Sequence, residues 1–281
     1  MIVYLNGSFV PEEEATVSVF DRGFLYGDGL FETIRLYRGR PFRWNEHMDR
    51  LLRGATILNI RLPASPVELR SHVDTLVEKN AMSEAVLRIA ISRGTGKRGY
   101  SPKGTDYPTL VMSLHSAPSI DAANLLRWRL VTASMRAAPH DALSGLKTSN
   151  KLLQVLARAE AEAKNADEAL LLASNGAIAE ATSGNVFCVD GQTVCTPPLD
   201  SGALPGITRA AILEICRMLA IPCHEKQIQI DALLKSEGVF LTSSGYEVVE
   251  ASSLDGNELK RSALTVKIYQ AYRALVSSHT E

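Results

Sequence analysis

The chain has 281 residues, 46% of them hydrophobic and 22% charged, with a formal net charge of −1. That length supplies one large domain or two modest ones with ample core material, and the near-neutral balance gives no electrostatic case for nucleic acid or an anionic membrane surface as partner. No apolar run approaches the roughly 20 residues of a membrane span, and the opening stretch Met1 to Gly7 has no basic leader, so a cytoplasmic enzyme acting on a small molecule is the expectation.

The chain opens with a short strand, Ile2 to Leu5, closed by the turn pair Asn6-Gly7. A second strand is expected from Ala15 to Phe20. It leads into Asp21-Arg22-Gly23-Phe24-Leu25-Tyr26-Gly27-Asp28-Gly29, whose glycines let the backbone bend tightly or approach something closely. In the strand from Leu30 to Tyr37, alternation places Phe31, Thr33 and Arg35 on one face and Glu32, Ile34 and Leu36 on the other. A face with an aromatic ring, a hydroxyl and a guanidinium suits a polar cavity or a solvated edge. Asn45 is a candidate N-cap for a helix to about Leu58 with His47, Met48, Leu51, Leu52 and Ala55 on its apolar side. Arg50 and Arg53 ride on that helix as anion ligands or surface charges.

A helix from about Pro66 to Lys79 precedes a strand from Val86 to Ser92. Then comes Arg93-Gly94-Thr95-Gly96-Lys97-Arg98-Gly99-Tyr100, a basic glycine-rich loop ahead of a strand at Thr109 to Leu114. It lacks the Gly-Lys-Ser/Thr ending of a phosphate-binding loop, and a loop both basic and flexible suits capture of a substrate carboxylate. His115 to Asn124 reads as an interdomain linker, dividing a smaller domain at 1–114 from a larger one at 125–281.

Beyond a strand near Arg127 to Thr132 stands Gly145-Leu146-Lys147-Thr148-Ser149-Asn150, just ahead of a helix at about 151–164 in which Leu152, Leu153, Val155, Leu156 and Ala159 share a face expected to pack on a core. Lys147 is thus at the edge of packed structure. A lysine in a partly apolar setting can present the neutral amine that condenses with an aldehyde to a Schiff base. Strands follow at Ala169 to Ala173, Ala177 to Glu180, Asn185 to Val189 and Thr193 to Thr196, with turns at Asn175-Gly176 and Asp190-Gly191. Gly206-Ile207-Thr208-Arg209 opens a helix to about Ala220, and its amides and hydroxyl at the positive end of the dipole form a natural phosphate seat. A strand from Val239 to Thr242 ends in Ser243-Ser244-Gly245 before Tyr246 to Val249, and the last helix runs from about Leu264 to Val276.

The four cysteines, Cys188, Cys195, Cys216 and Cys223, have six, twenty and six residues between neighbours. None shows the two-residue spacing of zinc or redox motifs, so they read as small buried apolar side chains. The histidines, His47, His72, His115, His140, His224 and His279, include no pair at helical ligand spacing, and no metal site is expected.

An amine at Lys147, a carboxylate at Glu180 and phosphate seats at Ile207-Thr208 and Ser243-Ser244 match the needs of pyridoxal 5′-phosphate. The order Tyr26-Gly-Asp-Gly-Leu-Phe-Glu-Thr-Ile-Arg35, His47-Met-Asp-Arg50-Leu51, Lys147 with Asn150, Glu180-Ala-Thr-Ser-Gly-Asn185-Val-Phe187 and Gly206-Ile-Thr208-Arg209 resembles the class IV, fold type IV pyridoxal-phosphate enzymes over nearly the whole chain. That family holds branched-chain and D-amino acid aminotransferases, (R)-selective amine transaminases and 4-amino-4-deoxychorismate lyases. The resemblance implies an α/β fold of two domains with the cofactor between them, like that of the D-amino acid aminotransferases, and a homodimer. It implies Lys147 as the Schiff-base lysine, Glu180 at the pyridine nitrogen, and Arg50, the amides of Ile207 and Thr208, and Ser244 at the phosphate. Ala181 stands where the family often has glycine. The tyrosine that branched-chain enzymes place soon after the lysine is missing, which leaves Asn150, or nothing, for the phenolic oxygen.

Two places bear on the substrate. Phe31, Thr33 and Arg35 resemble the Phe-x-Thr-x-Arg of the lyases, where branched-chain enzymes have glycine and D-amino acid enzymes valine at the threonine. Arg93-Gly-Thr-Gly-Lys-Arg98-Gly-Tyr100-Ser101 is similar to the corresponding lyase loop, whereas D-amino acid enzymes share Arg98 but have histidine in place of Tyr100. With Tyr26 lining the substrate side, these implications favour a lyase over a transaminase acting on D- or branched-chain amino acids. A pyridoxal-phosphate carrier without turnover would not need Glu180.

Overall fold

The computed structural model describes residues 1–121, 124–139 and 141–280; Ala122 and Ala123 of the expected linker and His140 lie outside the described residues. The chain packs as two compact units, one formed by Met1–Ala117 with Leu146–Lys151 and the other by Pro118–Gly145 with Leu152–His279. Among the described residues no helix is long and apolar enough to cross a membrane.

The first unit contains β1 (Ile2–Leu5), β2 (Ser8–Pro11), α1 (Arg22–Tyr26), β3 (Gly29–Tyr37), β4 (Arg40–Pro41), α2 (Trp44–Leu58), α3 (Pro66–Asn80), β5 (Ala85–Ser92) and β6 (Thr109–Ser116). Its six strands form an antiparallel sheet in the order β2-β1-β6-β5-β3-β4. The expected strand at Ala15 to Phe20 is absent. Asn6 and Gly7 both take positive φ, the two-residue hairpin geometry that turns the chain at once into β2, and Val17, Val19 and Phe20 are left exposed. α2 starts two residues earlier than expected, after Arg43 in the left-handed conformation and with no side-chain cap, so Asn45 is not its N-cap.

Period-two alternation decides what each face of this sheet does. Leu30, Ile34 and Leu36, with Leu87, Ile89, Ile91, Leu110, Met112 and Leu114, pack under Met48, Leu51 and Ala55 of α2 and Leu69, Val73 and Leu76 of α3. The other face carries Phe31, Thr33 and Arg35, paired across to Ala90, Arg88 and Val86. Burying one face under two amphipathic helices thus leaves a polar face to build on.

The second unit contains β7 (Arg127–Ala137), α4 (Leu152–Ala163), β8 (Glu168–Ala173), β9 (Ile178–Ala181), β10 (Asn185–Asp190), β11 (Thr193–Thr196), α5 (Ile207–Met218), β12 (Cys223–Glu225), α6 (Ile230–Lys235), β13 (Gly238–Ser243), β14 (Glu247–Leu254), β15 (Asn257–Glu258) and α7 (Ala263–Thr280). A nine-stranded mixed sheet runs β12-β11-β10-β13-β14-β7-β8-β9, with β15 beside β14. The face that α4 buries is the expected one only at Leu153. Leu153, Ala157 and Ala161, spaced four apart, pack beside Val131, Ala133, Ala169 and Leu171, whereas Leu152, Val155 and Leu156 are 64%, 59% and 48% exposed. Alanines let the helix approach β7 and β8 closely, so Ala157 and Ala161 face inward with Leu153, while Leu152, Val155 and Leu156 face outward. Cys188, Cys195 and Cys216 are buried and Cys223 half-buried, all as free thiols.

Candidate functional site

Lys147 belongs to the first unit. Its carbonyl accepts from the Phe31 amide at 2.9 Å, the Ser149 amide donates to the Gly29 carbonyl at 2.9 Å, and Thr148 bridges Leu30, so the segment is stitched to the start of β3. Leu146 anchors it in the core of that unit. Lys147 itself is half-buried, with its Nζ 4.7 Å from the centroid of the Phe31 ring. The Arg88 guanidinium lies 3.9 Å from the same centroid, and Arg88 is the cross-strand partner of Thr33. The polar face therefore gathers an amine, a ring, a hydroxyl and a guanidinium. Sequence reasoning missed Arg88, since a single arginine in an alternating strand looks like a solvated residue; its pairing opposite Thr33 was the signal.

Arg35 shares that face but is buried, with Nη2 3.9 Å from Glu84 Oε2 and its guanidinium 5.4 Å from the Tyr37 ring centroid. Arg98 and Tyr100 stand exposed on the loop after β5. The Tyr26 hydroxyl accepts from the Gly99 amide at 3.2 Å, and its ring centroid is 5.5 Å from that of Tyr100. Asn150 is exposed and its backbone packs against Gly27, where a Cβ would come within 3.2 Å of Asn150 Cα.

On the opposite, helix-covered face, Glu32 is fully buried and holds two partners from α2. Arg50 donates to it through Nε at 2.8 Å and Nη2 at 2.6 Å, and His47 Nδ1 meets Glu32 Oε2 at 2.7 Å. Burial pushes the Glu32 carboxyl up, but the bonds and charge of Arg50, with help from His47, outweigh it and hold the carboxyl at about 2. Burial also pushes His47 below its ordinary value against the pull of Glu32, so its ring is neutral near pH 7 and donates to the carboxylate. Arg50 is thus a buried, oriented guanidinium, while Arg53 is an exposed charge.

In the second unit, Glu180 Oε2 accepts from the Leu204 amide at 2.8 Å, and Asn185 Nδ2 donates to the Leu204 carbonyl at 2.8 Å. Both side chains fix the segment that enters α5. No side chain caps that helix at Gly206, and a Cβ there would lie 2.0 Å from Asn185 Oδ1, so only glycine permits the approach. Ile207 and Thr208 open the helix with their amides at the positive end of its dipole. Arg209 is turned to other duties, its Nη2 meeting Glu225 Oε2 at 2.6 Å and the Pro197 carbonyl at 3.1 Å. Ser243 Oγ accepts from the Tyr246 amide at 3.2 Å in the turn that includes Ser244. Among the described residues, no three His, Cys, Asp or Glu side chains cluster as a metal site.

A family model described as amino-transferase class IV matches residues 29–254. The chain is 34% identical over 277 residues to a putative branched-chain-amino-acid aminotransferase of Methanocaldococcus jannaschii, covering 97% of this chain and 96% of the relative. It is 31% identical over 256 residues to the aminodeoxychorismate lyase of Bacillus subtilis, covering 90% and 87%. Among solved structures, a branched-chain aminotransferase of the archaeon Thermoproteus uzoniensis with norvaline superposes with a TM-score of 0.90 at 30% identity, covering 98% of this chain and 94% of that one. Another branched-chain amino acid aminotransferase, solved with pyridoxamine 5′-phosphate, superposes with a TM-score of 0.92 at 27% identity, covering 99% and 94%.

Proposed function

This chain belongs to the amino-transferase class IV family of pyridoxal 5′-phosphate enzymes, and from that premise we propose that it is an aminodeoxychorismate lyase, converting 4-amino-4-deoxychorismate to 4-aminobenzoate and pyruvate for folate synthesis. The observation that carries the reading is Thr33, a hydroxyl on the polar face of the first unit, with Arg88 opposite it and Phe31 two residues away against the Lys147 amine. Elimination from a substrate with two carboxylates needs a base, a proton carrier and two cations.

The donor set fits the cofactor in kind. Of the first unit, Lys147 would take its aldehyde, Arg50 its phosphate and Asn150 its phenolic oxygen; of the second, Glu180 would take the pyridine nitrogen, and the amides of Ile207 and Thr208 with the hydroxyls of Ser243 and Ser244 the phosphate. Arg50 arrives already oriented by Glu32, and α5 begins after Gly206 with no side-chain cap hydrogen bond. When bound, pyridoxal phosphate supplies an electron sink for the carbon that bears the substrate amine. Lys147 removes the proton from that carbon. Thr33 passes a proton toward the departing enolpyruvate oxygen, and the ring becomes aromatic. Arg98 and Arg88 hold the carboxylates, Arg35 adds positive charge two residues along β3 from Thr33, and Tyr26 and Tyr100 line the approach.

A second reading, amino transfer to or from a branched-chain or D-amino acid, draws support from the whole-length similarity to the Methanocaldococcus relative. In that reaction Lys147 moves the same proton to a different carbon. The deciding experiment supplies the purified protein with 4-amino-4-deoxychorismate made in place by a coupled synthase, and separately with D-alanine or leucine and a keto acid. Rapid formation of 4-aminobenzoate with slow amino transfer is expected; the reverse overturns the lyase reading and keeps the cofactor. Borohydride should fix the cofactor to the peptide containing Lys147, and a Lys147→Ala protein that stays fully active would refute both readings. The enzyme is further taken to be a cytoplasmic homodimer, for which the exposed stripe Leu152, Val155 and Leu156 offers an apolar contact; a monomer in sedimentation velocity would refute the assembly.

A further inference from the structure

Arg98 and Tyr100 project from an exposed loop, Tyr100 being 86% exposed. Side chains in that position have no geometry of their own unless the backbone beneath them is fixed. Here three consecutive carbonyls of that backbone converge on one guanidinium. Arg22 donates from Nη1 to the Gly99 carbonyl at 2.8 Å and the Ser101 carbonyl at 3.3 Å, and from Nη2 to the Tyr100 carbonyl at 3.1 Å. Its Nε donates to Asp28 Oδ2 at 2.8 Å. The guanidinium also lies 4.9 Å from the centroid of the Tyr26 ring, the same tyrosine whose hydroxyl holds the Gly99 amide.

The anchor continues inward. Asp28 also accepts from Arg93, at 2.8 Å from Nε and 3.0 Å from Nη2. Arg93 in turn donates to the Leu58 carbonyl at 2.8 Å and the Asn59 carbonyl at 3.1 Å, at the end of α2. Arg22, although it begins a five-residue helix, is only 3% exposed. A continuous line of charge-assisted bonds therefore runs from the core helix through Arg93, Asp28 and Arg22 to the loop. A carboxylate flanked by two guanidiniums and a guanidinium saturated with carbonyls form a rigid mount, and a lysine, with its donors on one nitrogen, cannot span the same three carbonyls and the carboxylate.

We propose that Arg22, held by Asp28 and Arg93, is the positioning residue that sets the loop carrying Arg98 and Tyr100, and so sets preference for carboxylate-bearing substrates without touching them. This rests on the assignment of Arg98 to a substrate carboxylate. Pinning the carbonyls of 99–101 fixes the chain that directly follows Arg98 and carries Tyr100, so that the cation is presented in one place before substrate arrives.

The test uses holoenzyme with Arg22→Lys, Arg22→Gln and, as reference, Arg98→Ala. Three quantities are read: amide hydrogen exchange and tryptic cleavage over 95–101, KM and kcat with 4-amino-4-deoxychorismate and with D-alanine plus a keto acid, and the cofactor absorption band. In both Arg22 variants loop exchange should rise about tenfold or more and cleavage after Arg98 should quicken. KM for the preferred substrate should rise about tenfold to a hundredfold, the worth of one charge-assisted contact, with kcat changed less than about threefold and the absorption band intact. Combining Arg22→Lys with Arg98→Ala should cost no more than Arg98→Ala alone, because both act through one contact. If Arg98→Ala raises KM while both Arg22 variants leave KM and loop protection unchanged, the proposal falls and the reading of Arg98 stands. If Arg98→Ala itself leaves KM unchanged, the carboxylate assignment fails and the proposal with it. Variants that lose the cofactor band with KM intact would show a merely structural role and overturn the proposal.

Discussion

Replacing Glu32 with glutamine isolates the charge that orients Arg50. The carboxylate is fully buried, takes two bonds from Arg50 and one contact from His47, and sits at about 2 against an ordinary value of 4.5. A carboxyl whose folded value is depressed stabilises the fold fully above its unfolded value and loses that contribution as pH falls through the folded one. Glu32 is worth about 3 kcal/mol on this basis near neutral pH, of which about 2 kcal/mol should be gone by pH 3. In Glu32→Gln the amide keeps one acceptor but leaves the Arg50 charge buried without its counter-ion, a loss of about 3–5 kcal/mol at neutral pH. The assay is urea unfolding of both proteins, stripped of cofactor, from pH 6 to pH 3. The gap between wild type and variant should be widest at pH 6 and should shrink by about 2 kcal/mol at the acid end. Parallel curves, with a gap that does not move, would show that Glu32 titrates as an ordinary carboxyl and refute the network.

Arg88→Ala should raise KM for the carboxylate substrate about tenfold to a hundredfold with kcat nearly unchanged, as expected for one lost charge-assisted bond; steady-state kinetics check it, and an unaltered KM removes Arg88 from the substrate side. Thr33→Val, which keeps the shape and deletes the hydroxyl, should slow elimination about a hundredfold with cofactor affinity measured by absorbance titration unchanged. An elimination rate equal to wild type would remove the proton-carrier role. Ala157→Leu forces a large side chain into the fully buried contact of α4 with the sheet and should cost about 1–3 kcal/mol in urea unfolding.

The elements most legible in the sequence were those where local chemistry leaves one solution. The capping box at Ser65 and Glu68 with Pro66 starts α3 where the pattern placed it, and the alternation of β3 told its two faces apart. What failed was whatever depended on an absent partner. Ala15 to Phe20 alternates like a strand, yet the Asn6-Gly7 turn had already assigned the pairing edge to β2, and a strand without a neighbour is no strand. In α4 Leu152, Val155 and Leu156 look like a core face on size alone. The alanine row at Ala157 and Ala161 wins because its backbone can come nearer the sheet.

The same logic explains where the chemistry-bearing motifs stopped short. Lys147, Glu180 and the start of α5 stand out because the roles proposed for them, a Schiff-base lysine, a nitrogen-binding acid and a glycine-opened phosphate seat, would each admit few residue types. The residues that place them are ordinary in type. Arg22 and Arg93 read as loop charges until the carbonyls and the carboxylate they share are known, and Glu32 reads as the polar half of an alternating strand until α2 lays Arg50 and His47 over it. A positioning residue is defined by partners far away in sequence, 77 residues for Arg22 and Gly99, and no local pattern encodes that distance. Substrate preference in this molecule should therefore respond to substitutions in the arginine–aspartate mount, whose residues look least functional in the sequence, as well as to changes in the motif residues themselves.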